Sequence, residues 1–202
     1  VAALEEGVIG LNDTVNCTGI YKEITPALRC WIYPGQHGPL DVVHGIQNSC
    51  NVFFSEMGHR LSMDENGNYS PELGIEKIRK YASMFGLDET SGIEIAEREP
   101  QMTTEKPEAS SIGQGKNSYS NIQLSRYITA VANKGTVFKL SLLDKMTDSQ
   151  GNLLKDFTPE VRSTIDVKDS TWNAVHTGMR RVISDGSARK IFSDLEVDIA
   201  GK

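Results

Sequence analysis

Between residues 70 and 86 the apolar positions Ile75, Ile78, Tyr81, Ala82 and Phe85 fall three and four residues apart, the period of one helix face. Ser70-Pro71 starts this run and Gly86 closes it: a proline in the first helical turn gives up only an N–H that has no partner there. A second run follows Ser120-Asn121-Ile122-Gln123, a capping box in which hydroxyl and amide each satisfy a free backbone N–H. Its face is Leu124, Tyr127, Ile128 and Val131, and it ends at Gly135. A third, capped by Asp169-Ser170-Thr171, carries Trp172, Val175, His176, Met179, Val182 and Ile183 until Asp185-Gly186 breaks it, with a short helix from Ser187 to Phe192. His176, within that apolar stripe, reads as a packed histidine. Residues 40–47 and 51–58 are two shorter helical runs meeting at Ser49, and Val52, Phe53, Phe54 and Met57 back the junction. Val1–Gly7 reads as the tail of a helix with no Ser, Thr or Asp cap ahead of it.

The remaining stretches lack that period. Leu11–Thr14 is a turn, residues 15–36 read as short extended pieces, and Asp64-Glu65-Asn66-Gly67-Asn68 is a polar turn. Residues 136–146 and 153–166 read as strands joined through Ser149-Gln150-Gly151-Asn152, and Val197–Lys202 alternates like a strand. Residues 87–110, with Glu94, Glu97, Arg98, Glu99, Glu105, Lys106 and Glu108, read as a solvated surface loop, with Ile93 and Ile95 in a short strand.

Length and charge narrow the function. A chain of 202 residues suits one domain with its own core. A net charge of -6 argues against a nucleic-acid partner. No apolar run reaches membrane-spanning length, and there is no signal peptide. The three cysteines form no C-x-x-C pair and the four histidines no paired helical spacing, so no metal site is expected, and no cofactor. Cys17 and Cys30 flank Thr25-Pro26; a disulfide and two unpaired thiols both fit that spacing. Both ends read as cut, which predicts that residues 1–202 are part of a longer chain.

Two segments carry candidate chemistry. Ser49-Cys50-Asn51 places a hydroxyl and an amide at a helix junction, where both can turn into one cleft. Cys50 between them, in apolar surroundings, reads as an inert packed thiol rather than a nucleophile with His44 or His37 as base. Gly113-Gln114-Gly115-Lys116-Asn117 fails as a phosphate loop, because position 110 is Ser and Asn follows Lys116. Its glycines are expected to let the backbone pass close to another segment.

Taken in order, Leu4-Glu5-Glu6-Gly7, His37-Gly38, Asn48-Ser49-Cys50-Asn51-Val52-Phe53-Phe54, Phe85-Gly86-Leu87 with Thr90-Ser91-Gly92-Ile93, Ile112-Gly113-Gln114-Gly115, Ala132-Asn133-Lys134-Gly135 and Ala200-Gly201-Lys202 resemble the transpeptidase domain of class B penicillin-binding proteins. The resemblance covers nearly the whole chain. That family uses Ser-x-x-Lys, Ser-x-Asn and Lys-Thr-Gly. Ser49-Cys50-Asn51 matches the second and Lys202 the first letter of the third. Ser187-Ala188-Arg189-Lys190 has the letters of the first but lies after the other motifs, so the nucleophile is expected upstream of Val1.

The resemblance implies an α+β serine transpeptidase fold, of which residues 1–202 hold mainly the helical part, a hairpin and little of the central antiparallel sheet. It implies acyl transfer through a serine acyl-enzyme, with Ser49, Asn51 and Lys202 as catalytic residues and Gly113, Gln114 and Gly115 shaping the substrate cleft. Without the nucleophile, residues 1–202 alone are expected to be inactive. Peptidoglycan stem peptide, β-lactams and membrane-bound cell-wall synthesis proteins are the implied partners, on the extracytoplasmic face of the cell membrane. A β-lactamase-like hydrolase or β-lactam sensor, and a non-catalytic cell-wall scaffold, are the alternatives.

Overall fold

The computed structural model describes residues 1–192 and 194–202. Along the chain run α1 (Ala2–Glu5), β1 (Val15–Cys17), β2 (Ile20–Tyr21), β3 (Leu28–Arg29), β4 (Gly38–Leu40), α2 (Val42–Gln47), α3 (Asn51–Leu61) and α4 (Pro71–Met84). There follow α5 (Pro107–Ser110), α6 (Asn121–Ala132), β5 (Thr136–Lys139), β6 (Lys145–Thr147), β7 (Leu153–Asp156), β8 (Glu160–Thr164), α7 (Asp169–Ser184) and α8 (Arg189–Phe192). The class is α+β, and every sheet among the described residues is a two-stranded antiparallel pair: β1 with β4, β2 with β3, β5 with β8 and β6 with β7. The chain divides into two compact units, Val1–Ile78 with Thr103–Gly115 and Val167–Lys202, and Arg79–Met102 with Lys116–Asp166.

In the first unit α3 is the central element, with Val52, Phe53, Met57 and Leu61 buried along it. Gly58 lets α5 lie directly on it: a Cβ at that position would sit 2.4 Å from the Pro107 carbonyl oxygen. The segment around Glu108 is therefore not the solvated loop its charges suggested. Pro107, Glu108, Ala109 and Ser110 are all buried. The Glu108 carboxylate, 2% exposed, accepts from the Tyr69 hydroxyl at 3.0 Å and faces His59 Nδ1 at 3.1 Å. A carboxylate taken out of water needs such partners, and burial together with Glu108 pushes the Tyr69 hydroxyl up to about 12. Helix α7 packs on α2 through Gly178, where a Cβ would stand 2.8 Å from Ile46 Cβ. Asp169 is the first residue of α7 rather than its cap, and Thr171 bonds Glu5 instead of the backbone.

In the second unit the capping box closes as expected, with Ser120 N–H donating to Gln123 Oε1 at 2.8 Å and Gln123 N–H to Ser120 Oγ at 3.3 Å. The buried side of α6 differs from the expected stripe. It consists of Gln123, Arg126, Ala130 and Val131, while Leu124 and Ile128 are each 42% exposed. Arg126 gathers residues 86–91 by donating to the carbonyls of Gly86, Glu89, Thr90 and Ser91. Glu97 accepts from the Ser91 N–H and hydroxyl, both at 2.7 Å, and from Ser120 Oγ. Side chains thus shape a segment in which Ile93 and Ile95 form no strand. The two long strand expectations resolve into four strands, with a register shift between Val137 and Phe138 where β5 pairs with β8.

Gly178→Ala is expected to destabilise the protein by about 1–3 kcal/mol, the usual cost of overpacking a filled contact. An unchanged urea midpoint would show that α2 and α7 are not packed as described.

Candidate active site

The site is built on the reversal between α2 and α3. Asp41 caps α2, its Oδ1 accepting from the His44 N–H and facing the His44 ring Nδ1, each at 2.8 Å. Burial would raise the Asp41 carboxyl, but the His44 hydrogen bonds outweigh it and hold the group below its ordinary value. At the other end of α2, Ser49 N–H donates to the Ile46 carbonyl and Cys50 N–H to the Gly45 carbonyl, both at 3.1 Å. Ser49 itself has φ +49°. This is a Schellman motif with serine in the left-handed position where glycine is usual. The strain is on the order of 1 kcal/mol. Cys50 then caps α3, its Sγ accepting from Phe53 N–H at 3.4 Å. One helix therefore ends and the next begins with only Asn48, Ser49 and Cys50 between them.

Lys202 reaches this turn. Its ammonium donates to Ser49 Oγ at 2.6 Å and lies 5.8 Å from the centre of the Phe54 ring. Loss of solvent around the ammonium pushes its pKa down. The segment that brings it there forms no strand among the described residues. It rests on α7, with Gly201 N–H donating to the Met179 carbonyl at 3.1 Å and Arg180 to the Ile199 carbonyl at 2.7 Å. Asn51, the first residue of α3, is tied differently: its amide Nδ2 donates to the Arg29 carbonyl at 3.0 Å. The structure thus joins Ser49 to Lys202 and fixes Asn51 against the end of β3.

Gly113 follows the end of α5, where Gly113 N–H donates to the Ser110 carbonyl at 2.9 Å and Gln114 N–H to the Ala109 carbonyl at 3.0 Å. Its φ is +80°, and a Cβ there would meet nothing within 4 Å; at Gly115 the nearest atoms are 3.8 Å away. These glycines serve positive backbone angles, not the close approach expected from sequence.

Residues that pattern reading set aside meet beside Ser49. Cys17, Cys30, His37 and Cys50 offer ligand atoms all within 4.8 Å of one another, and the three thiols are buried and unpaired. Burial opposes ionisation of Cys30, yet N–H groups of Ile32, Asn51 and Val52 point at its sulfur and hold the thiol below its ordinary value. Burial pushes the Cys50 thiol up and His37 down, which favours the neutral imidazole at His37, whose Nε2 is unpartnered among the described residues. Three sulfurs and one imidazole suit a tetrahedral zinc ion. Spacing along the chain offered no reason to expect a metal here because the donors come from β1, the ends of β3 and β4, and the α3 cap, not from one short knuckle. The signal available in the sequence was Cys30 and His37 only seven residues apart.

The sequence profile of the penicillin-binding protein transpeptidase domain matches residues 1–202. The chain belongs to that family. Penicillin-binding protein 2A of Bacillus subtilis is 28% identical over 209 residues, a match covering 93% of this chain and 28% of that protein. Peptidoglycan D,D-transpeptidase MrdA of Escherichia coli K12 is 27% identical over 221 residues, covering all of this chain and 33% of that protein. The chain therefore spans about a third or less of the length of these relatives. Among solved structures, a chain of a peptidoglycan synthase complex superposes with TM-score 0.84 at 22% identity, covering all of this chain and 33% of that one. Penicillin-binding protein 2B of Streptococcus pneumoniae strain 5204 superposes with TM-score 0.82 at 19% identity, covering all of this chain and 36% of that one. These superpositions establish the transpeptidase fold.

Zinc added to chelator-treated protein is expected to raise its thermal midpoint, because metal binds the folded arrangement and not the unfolded chain. Cys30→Ser should abolish that gain. A midpoint indifferent to Zn2+ and to chelator would remove the metal role.

Proposed function

We propose that this domain is part of a serine D,D-transpeptidase that cross-links peptidoglycan stem peptides. The observation that carries the reading is the 2.6 Å hydrogen bond from the desolvated Lys202 ammonium to the Ser49 hydroxyl. A serine hydroxyl held against a cation in this way is set to pass a proton on, and not merely to cap a helix. In this reading a Ser-x-x-Lys pair outside residues 1–202 supplies the nucleophile and its base. The nucleophilic hydroxyl gives its proton to the lysine as its oxygen attacks the carbonyl carbon between the two terminal D-Ala residues. The tetrahedral intermediate collapses by breaking the C–N bond, and the departing amine takes a proton relayed through Ser49. Lys202 lowers the cost of each shared proton position and attracts the peptide carboxylate. Asn51, with its N–H2 on Arg29, keeps its amide oxygen to accept from the substrate N–H. An amine of a neighbouring strand then attacks the ester carbonyl, and as the C–O bond breaks the proton the amine sheds returns to the serine oxygen, releasing the serine. A β-lactam opens in the same first step but stays bound as the acyl group. The Gly113–Gly115 turn is assigned to the cleft edge.

Residues 1–202 without that pair are proposed to be inactive alone. The described helices include none long and apolar enough to cross a membrane. The full-length protein is proposed to act on the outer side of the cell membrane with membrane-bound cell-wall synthesis proteins. Supporting this are the similarity to a chain of a peptidoglycan synthase complex and to PBP2 of Helicobacter pylori in complex with MreC, the latter at TM-score 0.76.

Fluorescent penicillin is expected to label the full-length protein covalently. Ser49→Ala should slow acylation by roughly 10²–10⁴-fold, the usual contribution of a positioned proton-transfer group. Labelling at an unchanged rate in that variant would refute the relay. Rapid loss of label would mark a hydrolase, and no label at all a scaffold.

A further inference from the structure

Ser49 is gripped by a strip of chain that the transpeptidase reading leaves without a role. Arg29, Cys30 and Trp31 follow one another at the end of β3. The Arg29 carbonyl accepts the Asn51 amide at 3.0 Å, and the Trp31 indole N–H donates to the Asn48 carbonyl at 2.8 Å. The residues before and after Ser49–Cys50 are thus held by two residues of one strip. The hold on Asn48 is the informative one. Its carbonyl belongs to the planar peptide whose N–H is that of Ser49, so the orientation of this plane fixes φ at Ser49. The two ends of the plane are bound separately, the N–H by Ile46 and the oxygen by Trp31. Without the second hold, a serine strained at φ +49° can relax by turning that plane, which carries Oγ away from Lys202.

Packing does not account for Trp31. The residue is 57% exposed, an unusual place for so large an apolar ring. Its indole is nevertheless held at its N–H and against the His37 ring, with centroids 5.3 Å apart and planes at 61°. The turn beneath is closed by Tyr33 N–H on the Cys30 carbonyl and Gly35 N–H on the Ile32 carbonyl.

We propose that Trp31 is a positioning residue for Ser49, acting through the Asn48 peptide. The inference rests on the transpeptidase reading for its kinetic consequence but not for its geometry. Two measurements on the full-length protein test it. With fluorescent penicillin, Trp31→Phe keeps an aromatic ring and removes the N–H. Its acylation rate constant should fall about tenfold, since small displacements at a reacting centre have effects of that size. The dissociation constant of the non-covalent complex and the thermal midpoint should stay where they were. In the Ser49→Ala background the same substitution should change nothing, the signature of two residues acting as one unit. A tenfold loss in both backgrounds, or in neither, would overturn the proposal. The second measurement needs neither chemistry nor a stable variant. In 15N-tryptophan-labelled protein the Trp31 indole N–H should exchange with solvent at least tenfold more slowly than a free indole, despite its exposure. Exchange at the free rate would equally overturn it. A protein that penicillin does not label but whose indole is protected would sink the transpeptidase reading and leave the positioning role standing.

Discussion

The first unit depends on one backbone reversal, in which α2 ends and α3 begins around a serine held at φ +49°. Such a conformation does not maintain itself in an L-residue other than glycine. Here it is maintained from several sides: by the two hydrogen bonds that close α2, by Cys50 capping α3, and by the strip after β3. The order of causes matters. The apolar residues Val52, Phe53 and Met57 fix α3 in the core, and Gly178 lets α7 press closely on α2 at Ile46. The turn between the two helices must then meet both constraints within three residues.

What the amino-acid pattern disclosed is what local physics decides. The Ser120–Gln123 capping box, the start of α4 after Ser70 and its end at Gly86 each involve groups within a few residues of one another. Their partners can be named without knowing the fold. Glu108 and Arg126 are the opposite case. Each is a charged residue in a stretch with many charges, and each is 2% exposed because its side-chain partners lie 35 to 49 residues away. Nothing in the neighbouring letters distinguishes them from solvated side chains. The same holds at the site. Ser49, Asn51 and Lys202 were singled out through family resemblance, whereas the association of Cys17, Cys30, His37 and Cys50 arises only when β1 pairs with β4.

The thiol–imidazole cluster and the Ser49 turn share parts rather than merely lying near each other. Cys50 contributes a sulfur to the cluster and the cap to α3. Cys30 contributes a sulfur that lies 3.9 Å from that of Cys50. Whatever rigidity the four donors acquire is delivered directly to the backbone that carries Ser49 and Asn51. Under the proposed acyl-transfer role, a cleft gains from such stiffness, since geometric precision is a large part of catalytic rate.

The left-handed serine also limits which sequences can occupy position 49. Threonine would preserve the hydroxyl, yet its β-branch crowds the carbonyl oxygen in this backbone region, where branched residues are true outliers. Glycine would relax the chain and delete the oxygen. Asparagine tolerates the angle but offers an amide in place of the hydroxyl that accepts from Lys202. The drift open to most surface turns is therefore narrowed at this one: serine meets both the backbone angle and the hydrogen bond from Lys202.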